Sequence, residues 1–167
     1  MSARMFHRMI PKPAQKLVLD TNVCLDLFVF LDPRCDALLA AMQSGAVTCL
    51  TRADCRTEWT LVLAYPRLGL TTQAQQAALA EFDRLIALTA ETAFDGPALP
   101  VCKDQDDQKF LELAASSGAH CLLTKDKALL KLARRTQKLG LFQIMLPTQW
   151  VAGRASDLRS ADRSKLQ

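Results

Sequence analysis

Only two histidines, His7 and His120, and a single tyrosine occur in the 167 residues of this chain. Aromatic residues make up 6% of it, too few for the stacking platform that single-strand binders use. No apolar run approaches the ~18 residues needed to cross a bilayer. The longest, Val23 to Leu31, is short and interrupted by Asp26, so no membrane association is expected. The cysteines, Cys24, Cys35, Cys49, Cys55, Cys102 and Cys121, form no Cys-x-x-Cys pair. Neither histidine has zinc-like spacing to them, which argues against a zinc site. Cys49 and Cys121 above all lie in apolar stretches and read as small buried hydrophobes. That usage suits a reducing compartment, and the expected location is cytoplasmic. The N-terminus lacks the apolar core of a secretory signal. Its arginines and absence of acid leave a transit peptide open beside a plain flexible leader.

What is present is a globular composition: 50% hydrophobic and 23% charged. The length suits one domain with a real core. The expected organisation is a flexible basic leader over 1–15, a domain over 16–150 and a basic, disordered tail over 151–167. Lysine and arginine total 21 against 17 acids, a net charge of +4. The excess sits at the ends: Arg4, Arg8, Lys12 and Lys16 have no acid among them, and 154–167 is also basic. The body between is slightly acidic. Basic ends favour polyanions weakly and without sequence preference, or are simply solvated.

Lys16-Leu17-Val18-Leu19 has no helical period and predicts a central strand. A helix opened by Thr21-Asn22 and running to about Phe30, and another from Asp32 or Pro33 to Gln43, follow, the second stopped by Ser44-Gly45. Residues 46–50 predict a second strand, and Thr51 a cap for a helix to Ala64. Thr71-Thr72 caps a helix whose apolar positions Ala74, Ala77, Ala78, Phe82, Leu85 and Ile86 recur at helical spacing. An acidic helix start at 104–107 leads to Ser116-Ser117-Gly118. A strand over 120–123, a helix from Lys125 to about Arg135, a strand over 142–145 and a short turn at Pro147–Trp150 complete the chain. Short apolar strands alternating with helices argue an α/β fold on a mainly parallel sheet. The strand C-termini then share one edge, which in open α/β sheets carries the site.

Acids fall where that edge would gather them. Asp20 ends the first strand, Asp126 follows the strand ending at Leu123, Asp104, Asp106 and Asp107 crowd a helix start, and Glu58 lies within an apolar helix. Each has a plain alternative. Asp20 and Asp126 suit helix N-caps, first-turn acids complement the helix dipole, and Glu58 could face solvent. Gathered together they would repel, and a hard divalent ion on oxygen ligands, Mg²⁺ or Mn²⁺, would relieve them. Such a site suits phosphodiester hydrolysis. Lys125, Lys127, Lys131, Arg134, Arg135 and Lys138, against the one acid Asp126, would hold phosphates, or form a solvated helix face.

These residues also carry a resemblance. Leu17-Val18-Leu19-Asp20-Thr21-Asn22-Val23 resembles the opening motif of PIN-domain ribonucleases. Glu58-Trp59 through Val62-Leu63, with Pro66 after, is similar to the helix bearing that family's second acid. Asp106 to Ala114 resembles its third motif, in the branch of toxins from toxin–antitoxin pairs, and Leu122 to Lys127 its fourth. The similarity spans about 16–150, in order. It implies a three-layer α/β/α sandwich, metal-dependent cleavage of single-stranded RNA, and acids at Asp20, Glu58, Asp107 and Asp126. Asn22 and Thr124 match polar positions that support the site. Two departures stand out: Ala128 replaces a further Asp of many relatives, and Asp104 or Asp106 could share the role of Asp107.

The leading expectation is an endoribonuclease using Mg²⁺ or Mn²⁺. Asp20, Asp107 and Asp126 hold the metal, Glu58 holds metal or orients water, and Lys125, Lys127, Lys131 and Arg134 bind RNA. A toxin role with a small antitoxin protein is implied by the resemblance alone, and a homodimer is left open. The rival is a non-enzymatic RNA-binding or assembly module that keeps the fold; loss of acids would mark it, and the acids are present. A phosphatase with an aspartyl nucleophile is disfavoured by Asn22, where such enzymes commonly have a second Asp.

Overall fold

Leu17, Val18 and Leu19 have no polar side chain to offer water, and the fold buries all three by placing them at the centre of a sheet covered on both faces. Side chains alternate across a strand. Leu17 and Leu19 accordingly join one core with Val23, Leu27, Leu38, Trp59 and Phe82, while Val18 joins the other with Phe110, Leu111, Leu113 and Leu129. The computed structural model describes residues 12–165. The leader expected over 1–15 lies mostly outside the described residues, and Gln15 already belongs to the first strand.

The strands are β1 (Gln15–Leu19), β2 (Val47–Thr51), β3 (Ile86–Leu88), β4 (Cys121–Leu123) and β5 (Gln143–Met145), in the order β3-β2-β1-β4-β5. Every pairing is parallel; Leu17 stands beside Cys49 on one side and Cys121 on the other. The helices are α1 (Thr21–Phe28), α2 (Asp36–Gln43), α3 (Ala53–Leu63), α4 (Thr72–Leu85), α5 (Gln108–Ser116), α6 (Lys127–Leu130), α7 (Ala133–Lys138) and α8 (Pro147–Ser164). This is the three-layer α/β/α arrangement expected. The chain builds outward from β1 to β2 and β3, then returns to the other side of β1 for β4 and β5. The order therefore reverses between β1 and β4, and the crevice at their C-terminal ends is where open α/β sheets bind ligands.

Several elements differ from expectation. Strand β3 was expected as helix, because Ile86 lies four residues after Phe82 and continues the apolar face of α4; instead Ile86 turns extended and pairs with Cys49. Thr51 ends β2 rather than capping α3, whose first position follows Arg52. The helix expected from Lys125 breaks at Lys131–Leu132 into α6 and α7. The short turn expected at Pro147 is the first turn of the 18-residue helix α8, so the stretch expected to be a disordered tail is helical through Ser164.

Two side chains, Trp59 and Arg52, fix the helices that border the crevice. Trp59 of α3 stacks on Phe82 of α4 at 5.6 Å and meets Phe28 of α1 edge-on at 6.1 Å. Arg52, buried at the end of β2, pairs with Asp54 at 2.7 Å and with Glu112 of α5 at 3.0 Å. All six cysteines are free and buried. Among the described residues no helix is long and apolar enough to cross a membrane.

Candidate active site at the β1–β4 crevice

Asp20 is the first residue past β1 and is almost wholly buried. It is the N-cap of α1: its Oδ1 accepts the backbone N–H groups of Asn22 at 2.6 Å and Val23 at 3.4 Å. Its Oδ2 accepts the hydroxyl of fully buried Thr124. Burial pushes the Asp20 pKa up, the Thr124 hydroxyl and the two N–H groups pull it down, and the charge of Asp126 adds to the rise; the net direction is upward. The cap reading therefore holds for Asp20, and its Oδ2 faces Thr124 beside the acid after β4. Asp126 repeats the arrangement past β4. Its Oδ1 caps α6 through the N–H groups of Ala128 at 2.6 Å and Leu129 at 3.3 Å, and its own N–H donates to Thr124 Oγ1 at 2.9 Å.

Asp107 closes the 3₁₀ turn Gln105–Asp107 and stands at the start of α5. It is half-buried, and no side chain satisfies its carboxylate among the described hydrogen bonds and ion pairs. Its pKa is pushed up to about 6, by burial first and then by the charges of Asp126, Asp20, Asp104 and Glu58. Asp126, Asp20 and Glu58, from three other segments, thus lie near enough to Asp107 for their charges to raise it. Asp104 caps the 3₁₀ turn through the N–H of Asp106 at 3.0 Å, while the side chain of Asp106 is exposed. Asn22 contributes its N–H to Asp20, and its side chain is exposed.

Glu58 is on α3, on the turn whose neighbour Trp59 is locked in the core. It does not simply face solvent. Its Oε2 accepts the hydroxyl of Thr21 at 2.6 Å, and its Oε1 pairs with the ammonium of Lys109 at 3.3 Å. Neither Thr21 nor Lys109 was expected to contribute. The signal for Lys109 was a cation in the first turn of a helix, where the dipole disfavours one.

An all-oxygen, like-charged donor set matches a hard divalent ion in its chemistry. As the side chains stand, however, no group of three His, Cys, Asp or Glu among the described residues is arrayed to hold a metal. Asp20 and Asp126 each give an oxygen to a helix cap, and both oxygens of Glu58 are engaged by Thr21 and Lys109.

The basic stretch divides. Lys125 pairs with buried Asp26 of α1 at 2.6 Å and so fastens the loop after β4 to α1. Lys127, Lys131, Arg134, Arg135 and Lys138 are exposed and form no ion pair among the described residues. A cavity of about 540 Å³ lies at the opposite sheet edge, lined by Gln15, Cys121 and Gln143 at the strand beginnings and by Trp150; it includes none of the clustered acids.

The family model of the PIN domain matches residues 16–128, more than half of the chain. The matched span includes Asp20, Glu58, Asp104, Asp106, Asp107, Thr124 and Asp126. No curated protein matches the chain.

Proposed function

Because this chain belongs to the PIN-domain family, whose members are generally nucleases that bind nucleic acids, we propose that it is a metal-dependent endoribonuclease cutting single-stranded RNA at the β1–β4 crevice. The observation that carries the reading is the joining of Asp20 and Asp126 through Thr124 at the C-terminal ends of adjacent strands β1 and β4, with half-buried Asp107 beside them pushed up by burial and by their charge. Asp20, Asp107 and Asp126 would hold Mg²⁺ or Mn²⁺, and Glu58 would hold metal or orient water. Asp104 and Asp106 add negative charge beside Asp107. When bound, the ion supplies an activated water and stabilises the leaving oxygen. Thr124 keeps Asp20 and the start of α6 in fixed relation, and Asn22 anchors Asp20 through its backbone. Lys127, Lys131 and Arg134 would bind RNA phosphates, giving affinity without sequence information. Lys125, engaged with Asp26, has the weaker claim to that role. The finer reading is the toxin of a toxin–antitoxin pair, acting in the cytoplasm and restrained by a small antitoxin protein.

The test is incubation with single-stranded RNA with and without Mn²⁺, beside an Asp20→Asn control. Internal cuts that need both Mn²⁺ and Asp20 support the proposal. RNA retained but uncut in Mn²⁺ would favour the non-enzymatic binding module.

A further inference from the structure

Lys109 occupies an unusual place for a cation. It is the second residue of α5, where the helix dipole disfavours positive charge. Its side chain is only 18% exposed. Instead of reaching for solvent, it folds back so that its ammonium donates to the backbone carbonyl of Asp106 and pairs with Glu58 Oε1 at 3.3 Å. The stem passes the Phe110 ring, with the ammonium 5.3 Å from its centre. Three acceptors of different kinds thus hold one charge at the rim of the acid cluster. The other Glu58 oxygen takes the Thr21 hydroxyl. Glu58 is therefore supplied with a cation and a donor by the chain itself, whereas Asp107 has neither.

We propose that Lys109 is the resident counter-cation of Glu58 and keeps that carboxylate out of the metal's ligand set, leaving the ion to Asp20, Asp107 and Asp126. This rests on the metal-dependent reading above and refines it: Glu58 orients rather than ligates, and Lys109 is a positioning residue acting through it. Removing the ammonium sets Glu58 free to join the ion and also deletes a positive charge beside it. Both effects tighten divalent-ion binding.

The experiment is Mn²⁺ titration of the full chain, read as loss of the free-ion electron paramagnetic resonance signal, for wild type, Lys109→Arg, Lys109→Met, Lys109→Gln and Glu58→Gln. Circular dichroism confirms that each is folded, and the two neutral variants guard against one failing to fold. The wild type should bind Mn²⁺, and Lys109→Arg, which keeps the pair, should stay within about twofold of it. Lys109→Met and Lys109→Gln should bind at least about tenfold more tightly, a lower bound for removing one unit charge near a divalent ion at an effective dielectric of about 20. Glu58→Gln should weaken binding only a few-fold. Neutral Lys109 variants with unchanged or weaker Mn²⁺ binding overturn the inference. So does a Glu58→Gln protein that loses binding by about a hundredfold or more, the scale reached when a metal site's own groups are removed. A folded wild type that binds no Mn²⁺ overturns the metal-dependent reading itself, and this inference with it.

Discussion

The hydroxyl of Thr124 donates to Oδ2 of Asp20 from a position wholly shielded from solvent. Thr124 Oγ1 in turn accepts the N–H of Asp126 at 2.9 Å, so one hydroxyl joins the acid after β1 to the backbone of the acid after β4. Thr124→Val keeps the shape and deletes both bonds. It should cost about 1–3 kcal/mol, since two buried polar groups lose a partner. RNA cleavage should fall with it, and Thr124→Ser should recover most of both. Urea denaturation beside a cleavage assay measures the pair of effects; a Thr124→Val protein of full stability would show the bridge to be inconsequential.

Asp20→Asn should abolish cleavage with little loss of stability. Asn is nearly as good an N-cap as Asp, so the bonds from Asn22 and Val23 survive. Loss of a buried charge beside Asp126 offsets what the weaker acceptor gives up. Full activity in a folded Asp20→Asn protein would remove Asp20 from the site.

Metal-free protein should lose stability as pH rises through the mildly acidic range. The Asp107 pKa is raised from 3.8 to about 6 in the fold. The contribution of a raised group is fully present below its unfolded value and is lost as pH rises through its folded value. Melting temperature in EDTA should therefore decline between about pH 4 and pH 7, and Asp107→Asn should flatten the decline. Mn²⁺ at neutral pH should restore what is lost. A melting temperature at pH 7 indifferent to Mn²⁺ would speak against a clustered site.

Lys131 and Arg134 are exposed and unpaired among the described ion pairs, which makes their reversal to Glu a clean probe of phosphate binding. For single strands each neutralised phosphate contributes about −0.7 to the slope of log affinity against log salt. The double reversal should weaken binding to every RNA and flatten that slope while leaving Mn²⁺ binding largely unchanged. RNA titrations over several salt concentrations, in an Asp20→Asn background, read the result. An unaltered slope would mean that the RNA lies elsewhere.

The central sheet was legible because Leu17-Val18-Leu19 and Cys121-Leu122-Leu123 are apolar on both faces, which a helix of that length has no reason to be. Strand β3 was hidden because no turn residue separates it from α4 and Ile86 fits the helical period equally well. Helix α8 was hidden by its polar composition, with Trp150 its only large side chain wholly in the core. At the site, Asp20 and Asp126 could be located by their strand ends. Which hydrogen bonds each carboxylate makes could not, because Thr21, Thr124 and Lys109 reach them across gaps of 37, 104 and 51 residues. The ion pair of Lys125 was hidden for the same reason: its partner Asp26 belongs to a distant segment and looked like an interruption of an apolar run.

The six shielded thiols turn the molecule into its own reporter of opening. Cys49 and Cys55 are pushed up to about 12 and Cys121 to about 11, chiefly by burial, so hardly any reactive thiolate exists at neutral pH while the chain is closed. Alkylation must await exposure of the core, and its rate then follows the fraction of time each segment spends open. Cys121 in β4 and Cys24 in α1 flank the crevice strands, while Cys102 lies in the long connection before α5. Mass spectrometry of the labelling order would rank these parts by how readily they come apart. The same chemistry carries a hazard, because an oxidant that finds the chain open could cross-link thiols that the fold keeps separate.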